Sequence, residues 1–148
     1  EDLCAALRER GYHITIETAA TVFKPAACDL ASLSPKLSNS TPHQREGGRN
    51  ALRHDRLRLR PDVIRAFMAH GDYQLKFVID QPGDVAEVLA ILQELPGVDR
   101  TRVLLMPQGV TRAELGQRGP WVAEACKEHG FRYCPRLHIE LYGNRRAT

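Results

Sequence analysis

The chain has 148 residues, of which 43% are hydrophobic and 26% are charged, a balance typical of a soluble globular domain. Its net charge of +3 is too small to argue for nucleic-acid binding. No apolar run reaches the roughly 18 residues that a membrane helix needs, and no secretory signal is visible. We therefore expect a cytoplasmic protein that binds neither a membrane nor nucleic acid directly.

Four cysteines occur, Cys4, Cys28, Cys126 and Cys134, and their spacing fits no CxxC pair, zinc pattern or cluster motif. Their even number leaves a disulfide framework open, but a chain of this size with a full apolar core has little need of one. We expect buried, reduced cysteines. Because the sequence begins with Glu1 and not with Met, we also expect that it was cut from a longer protein.

A unit of helix, glycine and strand recurs four times along the chain. The predicted helices cover residues 2–10, 62–70, 84–95 and 111–129, the last with a break near Gly119 and Pro120 and with a capping box at Thr111 and Glu114. The predicted helix-ending glycines are Gly11, Gly71, Gly97 and Gly130. The predicted strands cover residues 12–16, 30–33, 73–79, 102–106, 131–133 and 136–142.

Strands that are separated by helices cannot pair as hairpins, so the sheet is predicted to be mainly parallel with helical crossovers. Five or six strands suit an open sheet or part of a barrel better than a closed barrel of eight. The prediction is therefore one α/β domain over residues 1–148. Residues 38–60, which hold an arginine cluster, are predicted to form a basic insertion loop.

Two interpretations of this basic loop stay open, a solvated surface or a contact with a partner or RNA. No aromatic residue interleaves its arginines to stack on bases, which lowers the support for RNA.

Ligands in parallel α/β folds bind at the carboxyl ends of the strands. The residues that follow the predicted strands there are Glu17, Thr18, Ser34, Pro35, Lys36, Asp80, Gln81, Met106, Pro107, Gln108 and Gly109. Lys36 can pair with a carboxylate or phosphate, and Ser34 or Thr18 can hydrogen-bond a sugar or an amino acid. Glu17 can accept from ribose hydroxyls or an ammonium group. Taken alone, each of these residues fits an ordinary turn or cap, but their shared edge favours a site for the set.

His138 lies in the last predicted strand and is expected to point inward with Arg136 and Glu140, as a core or interface histidine or as a catalytic one. No metal-binding HExxH, nucleophile elbow, P-loop or GxGxxG motif occurs, so hydrolase, NTPase and dinucleotide-binding functions lack support.

Five short segments at these strand ends, taken in order, resemble 7-carboxy-7-deazaguanine synthases over nearly the whole chain. They are Ile16-Glu17-Thr18, Leu33-Ser34-Pro35-Lys36-Leu37, Gln74-Leu75-Lys76-Phe77-Val78, Leu105-Met106-Pro107-Gln108-Gly109, and Arg136-Leu137-His138-Ile139 with Gly143-Asn144-Arg145-Arg146.

The resemblance implies a radical-SAM lyase with a partial βα barrel, commonly a homodimer, on the route to queuosine in tRNA. Such enzymes convert 6-carboxy-5,6,7,8-tetrahydropterin to 7-carboxy-7-deazaguanine with loss of ammonia. They use S-adenosyl-L-methionine, a 4Fe-4S cluster and Mg²⁺, and they receive electrons from a donor such as flavodoxin. Reductive cleavage gives a 5′-deoxyadenosyl radical, and the protein positions and shields that chemistry.

Carried over by residue, the resemblance implies that Ser34, Pro35 and Lys36 contact S-adenosyl-L-methionine. It implies the same for the loop Met106, Pro107, Gln108 and Gly109, on the adenine side, and less directly for Glu17 and Thr18. The family's C-terminal residue reaches the substrate, which makes Thr148 a candidate, although Ala147 stands where a glycine is usual.

The family's cluster cysteines, its magnesium-binding threonine and its GGEP-type segment have no counterpart in this sequence. The chain is therefore expected to be the C-terminal portion of such an enzyme, inactive by itself. A related radical-SAM enzyme with another substrate, or a non-enzymatic interaction module without a cluster, remain alternatives.

Overall fold

The computed structural model describes residues 2–43 and 45–145. The helices are α1 (Asp2–Glu9), α2 (Ala51–Leu57), α3 (Pro61–His70), α4 (Pro82–Gln93), α5 (Arg112–His129) and α6 (Leu137–Tyr142). The strands are β1 (Thr15–Thr18), β2 (Leu30–Leu33), β3 (Tyr73–Ile79), β4 (Val103–Pro107) and β5 (Arg132–Tyr133). Short 3-10 segments cover Ser38–Ser40, Arg45–Gly48 and Arg100–Arg102.

The five strands form one sheet in the order β1-β2-β3-β4-β5. The pairs β1–β2, β2–β3 and β4–β5 are parallel. Helices α2 and α3 carry the chain back between β2 and β3, and α5 does so between β4 and β5, whereas residues 19–29 between β1 and β2 form no helix. The predicted α/β fold with a mainly parallel sheet is thereby confirmed. The chain divides into two compact units between Leu75 and Lys76, inside β3. That residues 1–148 form one domain within a partial barrel stays a prediction.

β2 and α3 both supply buried apolar residues to the first unit. Leu33 at the end of β2 and Ile64 on α3 are both fully buried, and Leu37 is 2% exposed. Phe67, one helical turn after Ile64, packs edge-to-face on Phe23 with ring centroids 4.9 Å apart. Leu33 and Leu37 are therefore buried on either side of the segment 34–36, which follows β2.

In the second unit, β3 and β4 supply the centre of the core. Side chains in β3 alternate between buried and half-buried, as with Phe77 and Val78, whereas β4 is buried at four of its five positions. A strand that is covered on both faces has apolar residues at successive positions, and this accounts for the apolar sequence of β4. Val88 of α4 and Val122 of α5 are fully buried in this unit.

Local signals for the ends of helices are confirmed in three places. Gly11 takes the left-handed conformation (φ 78°), and the amide of Tyr12 donates to the carbonyl of Leu7 at 3.2 Å, so α1 ends in a Schellman turn. Thr111 and Glu114 form the predicted capping box of α5, and Gly130 ends that helix at φ 72°. Gly71 also follows a helix end, but its φ of 176° is extended.

The last predicted strand, residues 136–142, is wrong, because Leu137–Tyr142 is the helix α6. The alternating apolar pattern there also places Leu137 and Leu141 four residues apart, which is a helical spacing. In the helix Ile139 is buried and His138 is exposed, so His138 does not point inward with Arg136 and Glu140 as predicted.

Two further predictions of local structure differ from what is observed. The predicted break at Pro120 is absent, since α5 runs unbroken from Arg112 to His129. Proline costs this helix one hydrogen bond, but Leu115 and Val122 on either side are buried two turns apart and anchor it. In the stretch 38–60, predicted as a loop, residues 51–57 form α2. Whether this stretch is an insertion stays a prediction.

The first strand also starts later than predicted, at Thr15 and not at residue 12. The Schellman turn after α1 uses Gly11 and Tyr12, and the amide of Ile14 donates to the side chain of Asp29 at 2.7 Å. Residues 12–14 are therefore held outside the ladder by contacts that a strand pattern does not reveal.

Candidate functional site

In the first unit, the ends of β1 and β2 bring three of the predicted site residues together. The two strands pair in register from Thr15 with Leu30 to Thr18 with Leu33. Ser34, the residue after β2, donates its amide hydrogen to the carbonyl oxygen of Thr18 at 2.7 Å. The ammonium group of Lys36 lies 3.5 Å from the hydroxyl oxygen of Ser34, at the limit of a hydrogen bond. Thr18, Ser34 and Lys36 therefore form one polar cluster.

The backbone after β1 turns sharply at Ala20. This residue has φ 55°, a left-handed conformation that is uncommon for a non-glycine residue, and its side chain is buried. The hydroxyl oxygen of Thr18 accepts a hydrogen bond from the Ala20 amide at 3.1 Å and stabilises the turn. The turn carries Ala19 and Thr21 to the wall of a cavity that Lys36 also lines.

Arg58 holds the segment that carries Lys36. Its Nη1 donates to the carbonyl oxygen of Lys36 at 3.0 Å, and the amide of Lys36 donates to the carbonyl oxygen of Arg58 at 3.3 Å. Its Nε donates to Asp55 Oδ1 at 2.7 Å, and this bond holds the pKa of Asp55 below its ordinary range. Pro35 between Ser34 and Lys36 is buried, so the segment is fixed on both sides.

The cavity beside Lys36 has a volume of about 470 Å³. Besides Ala19, Thr21 and Lys36, its walls come from α2 and the two residues that flank this helix in the chain: Asn50, Arg53, His54, Leu57 and Arg58. Mixed apolar and cationic walls suit a small organic anion. The sequence did not single out these residues of α2, because nothing in the basic stretch indicates which arginines face inward.

Glu17 lies at the same strand end but on the exposed side of β1. Its register partner is Ser32, whose hydroxyl accepts from Gln74 Nε2 at 3.0 Å in the interior of the sheet. Because successive side chains of a strand point to opposite faces, Glu17 and Thr18 do not share a face. Thr148 lies outside the described residues.

In the second unit, the predicted residues after β4 are held by main-chain and side-chain contacts. The amide of Gln108 donates to the carbonyl oxygen of Ile79 at 2.7 Å, so the chain continues beside the end of β3. Gln108 Oε1 accepts from Arg136 Nη2 at 3.2 Å. Arg136 Nε is buried and has no hydrogen-bond partner among the described residues. Met106 is half-buried, whereas Pro107 and Gly109 are buried.

Asp80 and Arg118 form an ion pair that the sequence did not suggest. Asp80 follows β3, and its Oδ1 lies 2.7 Å from Nη2 of Arg118 on α5. Arg118 Nε also contacts the carbonyl oxygen of Asp80 at 3.2 Å. Because Asp80 is already occupied by this pair, its carboxylate is a weaker candidate for ligand binding than its place after the strand suggested.

The described residues do not form a site for an iron–sulfur cluster or a metal ion. No group of three or more His, Cys, Asp or Glu side chains in the described part of the chain can hold a metal ion. All four cysteines are free, and only Cys126 is buried. Burial raises the pKa of Cys126, and burial followed by the nearby Cys4 raises the pKa of Cys28.

Comparison with known proteins identifies relatives of the chain. It is 42% identical to a 7-carboxy-7-deazaguanine synthase of Halobacterium salinarum and 38% identical to one of Rhodopirellula baltica. The alignments cover 99% and 96% of this chain. The chain is homologous to part of the 7-carboxy-7-deazaguanine synthases.

The resemblance carried by the five strand-end segments is thereby confirmed. A more distant synthase, from Pyrobaculum aerophilum, is 29% identical over 99% of the chain. The chain spans 60% of the length of the Halobacterium synthase and 55% of that of the Rhodopirellula synthase. No family model and no solved structure matches the chain significantly. Among the described helices none is both long and apolar enough to cross a membrane.

Proposed function

We propose that this chain forms part of a 7-carboxy-7-deazaguanine synthase. The observation that carries the proposal is the 42% identity to a synthase of that name over 99% of the chain. The reaction would be the radical-SAM conversion of 6-carboxy-5,6,7,8-tetrahydropterin to 7-carboxy-7-deazaguanine, a carbon–nitrogen lyase step that releases ammonia. Its product would feed queuosine synthesis and so tRNA modification.

The polar cluster after β1 and β2 supports a role in binding S-adenosyl-L-methionine. When bound, this cofactor supplies the radical that starts the reaction. The Lys36 ammonium group and the Ser34 hydroxyl fit a carboxylate, and Pro35 keeps the segment rigid. The backbone of Lys36 is already held by Arg58. Binding of a ligand therefore costs less conformational entropy of this segment.

Further residues complete this proposal in both units. Glu17 and Thr18 would line the cofactor side of the first unit. Met106, Pro107, Gln108 and Gly109 would contact the adenine portion, with Gln108 oriented by Arg136. Thr148 would reach the substrate. Since the described residues do not suit a 4Fe-4S cluster or Mg²⁺, we assign no step to either group in this chain.

The remaining features of the proposal rest on the family resemblance of the sequence. The protein would act as a cytoplasmic homodimer on a small pterin, with electrons from a donor such as flavodoxin. It would need neither a membrane nor nucleic acid as a direct partner.

The test uses the full-length protein of the source organism. Calorimetric titration measures the affinity for S-adenosyl-L-methionine, and chromatography detects 7-carboxy-7-deazaguanine formed from the carboxypterin. Lys36→Ala is expected to weaken cofactor binding about tenfold, the loss of one charge-assisted hydrogen bond. Lys24→Ala, which removes an exposed lysine of the same unit, is the matched control and should bind normally.

Three results would contradict parts of this proposal. Unchanged affinity in Lys36→Ala would remove Lys36 from the cofactor site. Cofactor binding without turnover of the carboxypterin would favour a radical-SAM enzyme with another substrate. Absence of cofactor binding by the full-length protein would favour a non-enzymatic interaction module.

A further inference from the structure

Two cysteines of the first unit lie on segments of the chain that contact each other. Cys4 is in α1, and Cys28 is in the segment that precedes β2. Arg8, one helical turn after Cys4 on the same face of α1, forms an ion pair of 3.3 Å with Asp29, the residue that follows Cys28. The contact between α1 and this segment therefore lies in the immediate neighbourhood of both thiols.

A second cavity, distinct from the one beside Lys36, separates α1 from this segment in part. It has a volume of about 510 Å³, and Ala5, Arg8 and Cys28 are among the residues that line it. Its wall also includes Asp72, which directly precedes β3. Because Cys28 and Asp72 precede the strands β2 and β3, this cavity lies at the amino ends of the strands. The polar cluster of Thr18, Ser34 and Lys36 lies at their carboxyl ends.

The electrostatic surroundings of Cys28 also place Cys4 close to it. Burial is the largest cause that raises the pKa of Cys28, and the next is the charge of Cys4, ahead of that of the adjacent Asp29. Since the interaction of two charges falls with their separation, the Cys4 sulfur lies within electrostatic reach of the Cys28 sulfur. Both cysteines are free, and both are half-buried rather than buried, so a small oxidant can reach them.

We propose that Cys4 and Cys28 are a redox-sensitive pair, which forms a disulfide when the protein meets a disulfide oxidant such as glutathione disulfide. One cysteine thiolate attacks a sulfur atom of the oxidant, forms a mixed disulfide and releases one glutathione. The other cysteine thiolate then attacks the first cysteine sulfur, which forms the Cys4–Cys28 bond and releases the second glutathione. Two protons and two electrons pass from the pair to the oxidant, which becomes two molecules of glutathione.

The disulfide ties α1 to the segment before β2. It closes a loop that contains the whole of β1, and it restricts the opening of α1 away from the sheet. In a reducing compartment the pair stays reduced, and disulfides that form there are usually transient and redox-sensing. Because the pair lies at the amino ends of the strands, the polar cluster at the carboxyl ends is unaffected. This inference is therefore independent of the proposed function.

The test incubates the full-length protein with glutathione disulfide in the absence of oxygen, blocks the remaining thiols by alkylation and digests the protein with trypsin without reduction. Cleavage after Arg8, Arg10 and Lys36 leaves Cys4 and Cys28 in different peptides. Mass spectrometry is expected to find these two peptides joined by a disulfide. The joined pair should be absent in Cys4→Ser and in Cys28→Ser. It should persist in the control Cys134→Ser, which replaces a half-buried cysteine of the second unit.

Hydrogen exchange measures what the bond does to the fold. In the oxidised protein the amides of α1 are expected to exchange on the order of tenfold more slowly than in the reduced protein, while those of α4 in the second unit keep their rates. Cys4→Ser should show no such change on oxidation. A link of Cys4 or Cys28 to any other cysteine, or a link that forms only after urea is added, would overturn the proposal. Unchanged exchange of α1 in the linked protein would overturn the restriction of α1.

Discussion

Arg58 Nη1 donates a hydrogen bond of 3.0 Å to the main-chain carbonyl oxygen of Lys36, across 22 residues of sequence. The Arg58 side chain is only 16% exposed, and Asp55 holds its Nε at 2.7 Å. The guanidinium therefore links the end of α2 to the segment after β2. Through this link, a side chain that need not touch a ligand fixes the position of one that is proposed to bind it.

Replacing Arg58 by Ala is expected to weaken binding of S-adenosyl-L-methionine about tenfold, because Lys36 loses the hydrogen bond that orders its backbone. Arg58→Lys should recover part of the affinity, since one donor can still reach the carbonyl oxygen. Arg60→Ala is the control, because Arg60 pairs with the exposed Asp62. Calorimetric titration of all three variants in the full-length protein measures their affinity for S-adenosyl-L-methionine. Equal losses of affinity in Arg58→Ala and Arg60→Ala would contradict the positioning role of Arg58.

Replacing Asp84 by Ala should lower the free energy of unfolding by about 1–3 kcal/mol. This carboxylate is 1% exposed and accepts from the amides of Asp80 at 2.7 Å and Gln81 at 3.1 Å, at the start of α4. Asp84→Asn keeps an acceptor oxygen and should lose less. Urea denaturation followed by circular dichroism measures both, with Asp62→Ala on the surface of α3 as the control. A loss in Asp84→Ala no larger than in Asp62→Ala would show that the cap is unimportant.

Gly109→Ala and Gly116→Ala are expected to act in opposite directions on stability. A Cβ atom at Gly109 would lie 2.9 Å from Leu115 Cδ2 and 3.1 Å from Glu114 Cβ, so the turn after β4 must shift, at a cost of about 1–3 kcal/mol. Gly116 lies inside α5 with nothing within 4 Å of such an atom. Alanine there should stabilise the helix by about 0.5–1 kcal/mol. The thermal unfolding midpoints of the two variants are compared with that of the wild type. An unchanged midpoint in Gly109→Ala would show that the turn accommodates a Cβ atom.

Acidification is expected to weaken the start of α5 through Glu114. The amide of Val110 donates to Glu114 Oε2 at 2.8 Å, and this bond, followed by that from the Thr111 hydroxyl, lowers the pKa of Glu114. A lowered pKa means that the stabilisation is complete above the unfolded-state pKa and is lost as the pH falls through the folded-state pKa.

The measurement for Glu114 is the thermal unfolding midpoint between about pH 6 and pH 3, a range that spans ordinary carboxylate pKa values. Glu114→Gln should show a smaller fall of the midpoint than the wild type. Glu128→Gln, an exposed residue near the other end of the same helix, controls for the loss of one carboxylate. An identical fall in Glu114→Gln and the wild type would exclude this contribution.

Elements with strong local signals were predictable from the sequence. Strands 30–33 and 73–79 have the bounds that were predicted, because each is a short run of apolar and β-forming residues between turn residues. The capping box at Thr111 was predictable because both of its hydrogen bonds lie within four residues. The parallel sheet followed from the alternation of helix and strand.

The predictions that were wrong or incomplete concern residues whose conformation depends on contacts with the rest of the fold. The segment 137–142 fits both a strand and a helix by its pattern. In a strand Leu137, Ile139 and Leu141 would share one face, but Ile139 is buried and the two leucines are exposed, as the helix requires. The polar strand ends were predicted from topology, because the carboxyl ends of parallel strands lie at one edge of a sheet. Arg58 and Arg136 were not assigned contacts to the site, because their bonds to Lys36 and Gln108 span 22 and 28 residues and leave no mark on the local sequence.

The ladder between β2 and β3 sets the order in which the first unit is completed. Leu33 pairs with Leu75, roughly forty residues later, and both α2 and α3 lie within that interval. Closing so long an interval must precede the parallel pairing, which makes this step slow compared with helix formation. In the cavity beside Lys36, the lining residues from Lys36 to Arg58 lie inside that interval, and Ala19 and Thr21 precede it. When the unfolded chain is returned to native conditions, ligand affinity should therefore recover with the sheet, after most of the helical signal has returned.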